Sequence, residues 1–246
     1  ELKVLVVGET IIDEYQYCQT LGKAGKEPIL AALYRGTEAS AGGVVAAANH
    51  VAAFCDHVGL LSQIGSIDSH RDFILDSLVT QVTPRFIEVP DSPTIVKRRF
   101  VEQYPFQKLF EVYVMNDELP DGARRETLQV LDEALPDYDV VIVTDYGHGM
   151  IEDQEVDLLC RKARFLAINS QKNAGNHGFN TVSKYPRADF VSVSESELRL
   201  DARRKRDPIE ALVSRVAGQL QCRALTITQG GQGCLCYQAP DRYVHA

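Results

Sequence analysis

Carboxylates follow the first apolar run of this sequence. Four consecutive aliphatics at residues 4–7 end at Gly8, and the predicted loop behind them carries Glu9, Asp13 and Glu14. Such a run is typical of a strand that is buried on both faces of a parallel sheet. Open α/β sheets bind their ligands just beyond the carboxyl ends of these strands. Asp13 is therefore a candidate ligand-binding carboxylate, and a turn or cap carboxylate is the alternative.

Two glycines, Gly42 and Gly43, precede a stretch of small apolar residues, and residues 44–54 are predicted to form one buried helix. Glycines at this place leave backbone N–H groups free near the positive end of the helix, where a polar ligand can bind. A tight packing turn is the alternative explanation.

Polar or glycine-rich segments also follow four later apolar runs. They are residues 144–149, the amide-rich loop 169–185, the helix start 194–197 and the turn 229–233. The many amides and glycines of the loop exclude a regular element, and the loop is either part of a site or ordinary surface. Ser194 is expected to cap the helix that it precedes.

Two stretches are predicted to pair as one small sheet, a lid over the edge of the main sheet. They span about residues 15–36 and 94–114, and the second carries Lys97, Arg98 and Arg99. Because side chains alternate along a strand, Lys97 and Arg99 share one face while Arg98 points to the other. At most one of these two sets can face a ligand.

The regular alternation of helices and strands over the rest of the chain predicts an α/β fold. We expect one domain over residues 1–246, with a doubly wound, mostly parallel sheet and helices on both faces. A chain of 246 residues is long enough to bury such a core. The polar strand ends would then converge on one crevice.

The composition excludes several functional classes. A net charge of −8 argues against a general nucleic-acid or membrane surface, and the basic run 203–206 is flanked by Asp201 and Asp207. Six cysteines without a C-x-x-C pair and six histidines without zinc spacing predict a reduced, cytoplasmic protein. Neither a signal peptide nor an apolar run approaching about 18 residues is found.

The order of these motifs resembles that of the ribokinase-like carbohydrate kinases, the PfkB family. Within that family the sequence is most similar to the heptose-7-phosphate kinase branch, which makes precursors of bacterial surface sugars. The resemblance covers essentially the whole chain. It rests on residues 8–15, 42–43, 65–68, 94–98, 145–149, 194–197 and 228–233.

The resemblance implies ATP-dependent phosphotransfer to a hydroxyl of a sugar or sugar phosphate, with a heptose phosphate as the favoured substrate. Asp13 would accept hydrogen bonds from sugar hydroxyls, and the backbone of Gly42-Gly43 would pack against the sugar. Lys97 and Arg99, with Arg98 beside them, would contact a phosphate already present on the substrate.

The resemblance also implies a nucleotide side with ATP and Mg²⁺. The turn that contains Thr228, Gly230 and Gly233 would lie against the ATP, and Lys172 would add a contact to the nucleotide. Glu197 would order magnesium through water.

Three positions depart from the family pattern. Ala46 stands where an asparagine usually follows the paired glycines, Ser194 replaces another asparagine, and Asn169 begins a segment that replaces an Asp-Pro-Lys pattern. These changes favour a second hypothesis, a catalytically impaired sugar- or nucleotide-binding pseudokinase module of a larger protein. An NAD-binding Rossmann domain is disfavoured, because residues 8–12 lack the glycine spacing of a pyrophosphate turn.

A Gly-Ala-Gly-Asp segment supplies the phosphoryl-binding N–H groups and the proton-accepting aspartate in this family. The sequence ends at residues 243–246 without it, so no catalytic residue is assigned. Phosphoryl transfer depends on such positioning groups. We expect these residues to be a piece of a longer chain and to be nearly inactive by themselves.

A homodimer through the lid is expected, because the exposed apolar face of a small sheet tends to be covered by a partner. Phe100, Phe110 and Val112 would contribute to that face. The other expected partner is a small sugar or sugar phosphate, with no nucleic acid and no membrane.

Overall fold

The computed structural model describes residues 2–116 and 118–246, which form two β-sheets and six α-helices. The strands are β1 (Lys3–Gly8), β2 (Thr10–Lys23), β3 (Leu30–Gly43), β4 (His57–Ile67), β5 (Val82–Pro93), β6 (Ile95–Glu102), β7 (Gln107–Val114), β8 (Val140–Asp145), β9 (Leu166–Ser170), β10 (Phe190–Ser194), β11 (Ala224–Thr228), β12 (Cys234–Gln238) and β13 (Arg242–His245). The helices are α1 (Val44–Val51), α2 (Arg71–Asp76), α3 (Asp121–Ala134), α4 (Asp153–Lys162), α5 (Glu195–Asp201) and α6 (Ile209–Gln219).

The larger sheet has nine strands in the order β13-β12-β11-β10-β9-β8-β1-β4-β5. The strands from β11 to β5 in that order run parallel, whereas β12 and β13 are antiparallel additions at one edge. The predicted α/β fold with a smaller second sheet is confirmed. The parallel strands all end at one edge of the sheet, which is where such folds bind ligands.

Strand β1 illustrates how the sheet is covered on both faces. Leu5 and Val7 belong to one core cluster, with residues of α3, α4, α5 and α6, while Val4 and Val6 belong to a second cluster with residues of α1 and α2. Successive side chains of a strand point to opposite faces. A run of four aliphatics is therefore needed where helices cover both sides of a central strand.

The smaller sheet has the order β3-β2-β6-β7. Its two halves are the two insertions, which pair through the parallel strands β2 and β6, in agreement with the prediction of one small sheet. The first half is longer than expected, since β2 and β3 together run from Thr10 to Gly43 instead of over residues 15–36.

The prediction of a loop after Gly8 is wrong. Glu9 alone separates β1 from β2, so Asp13 lies on a strand, opposite Ser40 of β3 and Lys97 of β6. Residues 10–23 are extended because their backbone polar groups form hydrogen bonds with β3 and β6. The two sheets are joined at two buried single residues, Glu9 between β1 and β2 and Thr94 between β5 and β6.

Two further elements differ from the expectation. The helix predicted over residues 44–54 ends at Val51. Strand Arg242–His245 was not predicted, because four residues at a sheet edge carry little periodic signal. None of the helices in the described part of the chain is long and apolar enough to cross a membrane.

Candidate functional site

Glu9 is buried where the two sheets meet. Its carboxylate accepts hydrogen bonds from the backbone N–H groups of Tyr146 and His148, each at 3.0 Å, and the residue is 2 % exposed. Burial, together with the negative charge of Asp145, raises the pKa of Glu9 to about 7. Glu9 therefore ties β1 to the segment after β8 and titrates near neutral pH.

Asp145 ends β8 and is fully buried among donors. Its Oδ2 accepts from the Tyr185 hydroxyl and the Lys184 ammonium, both at 2.6 Å, and its Oδ1 accepts from Asn180 at 3.0 Å. The N–H of Gly147 donates to the same Oδ1 at 3.1 Å. We call Asp145, Asn180, Lys184 and Tyr185 the acidic network. Both carboxylate oxygens of Asp145 accept hydrogen bonds within it or from Gly147.

Amides of the loop 169–185 satisfy backbone carbonyls. Asn173 and Asn176 both donate to the carbonyl oxygen of Tyr146, at 2.7 Å and 2.9 Å, and Asn176 also donates to Gln171 at 2.8 Å. A loop without regular structure needs such side-chain partners for its backbone. These amides fold the loop against the segment after β8.

Asp13 lies against the paired glycines. A Cβ atom at Gly42 would overlap Oδ2 of Asp13, and one at Gly43, whose φ is +58°, would come within 2.5 Å of the Glu9 carbonyl. Side chains are thus excluded at both positions, and only glycine adopts the Gly43 conformation without strain. The structure brings together Asp13, Gly42 and Gly43, which the sequence places some 30 residues apart.

Arg99 and Arg98 lie on opposite faces of β6. Arg99 forms an ion pair with Asp13 and another, at 3.0 Å, with Glu111. Arg98 pairs instead with Glu14 at 2.8 Å and thereby lowers the pKa of that carboxyl. These contacts follow the alternation expected along a strand. Arg99, unlike Arg98, shares a face with Asp13.

Lys97 is a buried cation without a countercharge in contact in the described part of the chain. It is 5 % exposed, and among the described residues its ammonium has neither a hydrogen bond nor an ion pair within 4.0 Å. The rings of Tyr113 and Tyr146 lie 5.2 Å and 5.7 Å away. Burial lowers its pKa, against the opposing charge of Asp13. A desolvated ammonium in this state is poised to receive an anion.

The turn after β11 lies at the same edge of the sheet. Thr228 ends the strand, and Gly230 and Gly233 have φ values of +61° and +87°. A Cβ atom at Gly230 or Gly231 would meet no atom within 4 Å. The backbone at Gly230 and Gly231 is therefore accessible to a ligand, whereas a Cβ atom at Gly233 would overlap the Ala246 carbonyl oxygen.

Glu197 and Ser194 form the predicted helix cap. The N–H of Ser194 donates to Oε2 of Glu197 at 2.7 Å, and the N–H of Lys172 donates to Oε1 at 3.0 Å. One of the lone pairs of Oε1 is left, which fits a contact to magnesium through water better than direct ligation. Among residues 2–116 and 118–246, no group of three or more His, Cys, Asp and Glu side chains is arranged to hold a metal ion.

Of the positions that depart from the family pattern, Asn169 and Ser194 have structural roles. Ala46 is exposed on α1. The amide of Asn49 binds the backbone of Ser77 and Val79, at 2.7 Å and 3.1 Å, so it does not take over the place of the missing asparagine. Asn169 donates to the carbonyl of Ser192 at 2.7 Å and holds β9 to β10.

The predicted residues form two groups along the sheet edge. Asp13, Gly42, Gly43, Lys97 and Arg99 constitute what we call the lid-base cluster. The second group, the turn cluster, consists of Lys172, Glu197, Thr228, Gly230 and Gly233. Strands β8, β9 and β10 separate β1 from β11, which is about 19 Å at the usual spacing of neighbouring strands.

Two cavities border the segment after β8, and no residue of the lid-base cluster lines either of them. One of about 40 Å³ is lined by Glu9, Thr10 and His148 among others. The other, of about 420 Å³, is lined by residues of the segment 147–153 and the loop 175–184. Asp13 and Gly230 line neither of them, so neither cavity joins the two clusters.

Sequence reasoning missed three residues of this region. Glu9 was noted only as a loop residue, and neither Asp145 nor His148 was assigned a role. A carboxylate directly after a buried strand and its terminal glycine was the available signal for Glu9. Its burial depends on the immediate start of β2, which local sequence does not reveal.

The chain was compared with known proteins. No model of a protein family matches it. It is 25% identical over 239 residues to the bifunctional protein HldE of Pasteurella multocida and 26% identical over 238 residues to that of Chromohalobacter salexigens. Each match covers 95% of this chain and 48% of the relative, so the chain spans about half the length of the curated relatives it matches.

Solved structures show the same fold at low sequence identity. The tetrameric inhibited form of phosphofructokinase-2 from Escherichia coli superposes with a TM-score of 0.76, at 12% identity, over 100% of this chain and 79% of that one. A putative ribokinase from Agrobacterium tumefaciens gives a TM-score of 0.68, at 15% identity, over 100% and 76%. The resemblance of this chain to the ribokinase-like carbohydrate kinases of the PfkB type is thereby confirmed, with HldE proteins as its sequence relatives.

Proposed function

We propose that this chain is the sugar-binding and nucleotide-binding part of a carbohydrate kinase, which transfers a phosphoryl group from ATP to a hydroxyl of a sugar phosphate. A heptose phosphate is the favoured substrate class, because the sequence resembles the heptose-7-phosphate kinase branch and HldE proteins are the relatives. The observation that carries the proposal is Lys97, which is buried beside Asp13 on the paired strands β2 and β6 of the small sheet and has no ion pair among the described residues.

The lid-base cluster would bind the acceptor sugar. Asp13 would accept hydrogen bonds from hydroxyl groups, and Gly42 and Gly43 would let the sugar approach the backbone. Lys97 and Arg99 would hold the phosphate that the substrate already carries. Arg99 pairs with Asp13, so an incoming phosphate would draw Arg99 away and free the carboxylate.

The turn cluster would bind the nucleotide. The open backbone at Gly230 would let phosphates approach, with Thr228 and Lys172 adding polar contacts, while Gly233 would shape the turn, since its N–H donates to the Gly230 carbonyl at 3.1 Å. Glu197 would hold Mg²⁺ through water. ATP with Mg²⁺ would supply the phosphoryl group, and the described residues would contribute by positioning and by stabilising negative charge.

The test uses full-length protein and a panel of sugars and sugar phosphates with ATP. We expect turnover with a heptose phosphate. A lack of turnover with every member of the panel would contradict the proposal. In calorimetry, Asp13→Ala should fold normally and weaken sugar binding about ten- to hundredfold, since a charge-assisted hydrogen bond contributes roughly 1.5–3 kcal/mol. An unchanged affinity would count against the role of Asp13.

A second candidate function is sugar binding without turnover. Glu197 already accepts backbone hydrogen bonds on both oxygens, which competes with metal binding, and Ala46, Ser194 and Asn169 depart from the family pattern. Binding of a sugar phosphate in calorimetry, with no phosphoryl transfer by full-length protein, would favour this pseudokinase.

We also propose a homodimer through the lid. Phe110 and Val112 are exposed on the small sheet, and Phe100 stacks on Phe110 at 4.5 Å. Such an apolar face favours cover by a second copy. A monomer in sedimentation at micromolar concentration would contradict the dimer.

The six cysteines are free thiols, which fits a reducing, cytoplasmic setting.

A further inference from the structure

The cavity of about 40 Å³ beneath the lid has no part in the phosphate and nucleotide contacts proposed above. Glu9, Thr10 and His148 line it together with apolar residues such as Ile64 and Leu119. A cavity of this size accommodates one or two groups as large as a water molecule. It is too small for a sugar ring, but it can take a single hydroxyl or hydroxymethyl group.

His148 leaves a hydrogen-bonding atom unused at this cavity. The residue is 5 % exposed, and its Nδ1 is buried without a hydrogen-bond partner in the described part of the chain. Its Nε2 lies 3.5 Å from the side-chain nitrogen of Asn173. Because an amide nitrogen donates, Nε2 is assigned as the acceptor and Nδ1 as the protonated donor.

Among the described residues, the wall of the cavity carries no positive charge for an anionic ligand. Burial and the nearby Lys97 lower the pKa of His148 to about 4, so the imidazole is neutral at physiological pH. The residues that line the cavity include the carboxyl of Glu9 and neither a lysine nor an arginine. A neutral group that both donates and accepts fits these walls, and a hydroxyl has this property.

The cavity lies next to the lid-base cluster. The ring of Tyr113 is 5.2 Å from the Lys97 ammonium and 6.5 Å from the ring of His148. The Lys97 cation and the wall of the cavity therefore border the same aromatic side chain. A polyol phosphate can therefore extend from Lys97 to His148 along one face of the lid.

We infer that the cavity is a hydroxyl-binding subsite, which takes a neutral hydroxyl or hydroxymethyl arm of the polyol whose phosphate Lys97 holds. His148 Nδ1 would donate to that oxygen, and Glu9 would accept from it. The identity of the polyol phosphate rests on the proposed function, whereas the preference of the cavity for hydroxyl groups does not.

The first test is nuclear magnetic resonance of full-length protein with ¹⁵N-labelled histidine. The chain has six histidines, and the variant His148→Phe assigns the signal of His148. Glycerol should shift the Nδ1 resonance of His148 saturably and leave exposed His177 unchanged, and sedoheptulose 7-phosphate should do so at far lower concentration. If saturating glycerol does not move the signal, the cavity holds water only and the inference is overturned.

The second test compares two variants in calorimetry. His148→Phe keeps a planar ring and removes the donor, whereas His148→Asn retains an amide N–H at the position of Nδ1. We expect His148→Phe to bind sedoheptulose 7-phosphate about tenfold more weakly, His148→Asn to stay within threefold of wild type, and inorganic phosphate to bind all three equally. A parallel loss for inorganic phosphate would make the cavity an anion site and overturn the inference.

The two proposals fail in different ways. If wild-type protein binds no sugar phosphate, the proposed function fails, and the glycerol titration still decides the cavity. If Asp13→Ala weakens sugar-phosphate binding and His148→Phe does not, the proposed function stands and the subsite is refuted.

Discussion

The acidic network and the lid-base cluster are two buried, charged regions on either side of Glu9, and they differ in how their charges are satisfied. Asp145 accepts from Tyr185, Lys184 and Asn180 within 3.0 Å. Among the described residues, the Lys97 ammonium has neither a hydrogen bond nor an ion pair within 4.0 Å, and the rings of Tyr113 and Tyr146 lie 5.2 Å and 5.7 Å away. Buried polar groups are normally hydrogen-bonded, so a complete network indicates a role in folding and an incomplete one indicates a place for a ligand.

The largest expected effect is the loss of stability when the acidic network is broken. Asp145→Ala leaves the Tyr185 hydroxyl without its acceptor and removes the countercharge of Lys184, whose ammonium keeps its hydrogen bonds to the Ile151 carbonyl and Asn180. Removing one partner of a buried ion pair costs about 3–5 kcal/mol of unfolding free energy. Urea denaturation of the variant measures this loss.

The control for this experiment is Tyr185→Phe, which removes one hydrogen bond and keeps the ion pair, so it should cost about 1–2 kcal/mol. Equal losses in both variants would show that the ion pair adds nothing and would remove the contrast between the two regions.

Glu9 joins the two regions, and its titration should appear in the stability of the protein. Its pKa is raised in the native state from 4.5 to about 7, so the native state binds this proton more tightly than the unfolded state does. The associated stability is fully present below pH 4.5 and is lost as the pH rises through 7. The free-energy change is about 3 kcal/mol.

Urea denaturation between pH 4.5 and 8, compared with Glu9→Gln, isolates this contribution. His148, whose pKa is lowered to about 4, acts in the opposite direction and stabilises the native state increasingly up to about pH 6.5. Stability of wild type should therefore fall relative to Glu9→Gln as the pH rises. If the unfolding free energies of wild type and Glu9→Gln change in parallel between pH 4.5 and 8, the pKa of Glu9 is not raised in the native state.

Sequence reasoning succeeded where the physical cause is local. Alternation along one strand separates Lys97 and Arg99 from Arg98, and the spacing of Ser194 and Glu197 predicts the helix cap that the structure contains. Both depend on residues within a few positions of one another.

The parts that were missed depend on contacts between distant segments. Glu9 is buried because β2 begins at the next residue, and β2 forms by pairing with β3 and β6, the latter more than 80 residues away. His148 lines a cavity whose other walls come from β4, β5 and β6. Periodicity carries no information about such pairings, so neither residue could be ranked above its neighbours.

A moderate effect is expected when the unpaired cation is replaced. Lys97→Met keeps the volume of the side chain and removes a desolvated charge, so the unfolding free energy should be unchanged or slightly higher. Affinity for sedoheptulose 7-phosphate should fall about ten- to hundredfold, because a charge-assisted contact of roughly 1.5–3 kcal/mol is lost. Calorimetry measures the affinity and urea denaturation the stability. The expected result, weaker binding with unchanged stability, contrasts with Asp145→Ala, for which a loss of stability is expected. A strongly destabilised variant that binds normally would assign Lys97 to folding.

The smallest effect is expected on the other face of the same strand. Arg98 pairs with Glu14, and its side chain is 38% exposed, so solvent screens the pair and Arg98→Ala should cost less than about 1 kcal/mol. Binding of sedoheptulose 7-phosphate should be unchanged, since Arg98 lies on the face opposite Asp13. Arg98 and Lys97 are neighbours in sequence with equal charge, so this pair of variants separates the effect of the face from the effect of charge in the lid as a whole. If Arg98→Ala weakens binding as much as Lys97→Met does, the lid attracts anions through its overall charge, and the buried position of Lys97 has no special role.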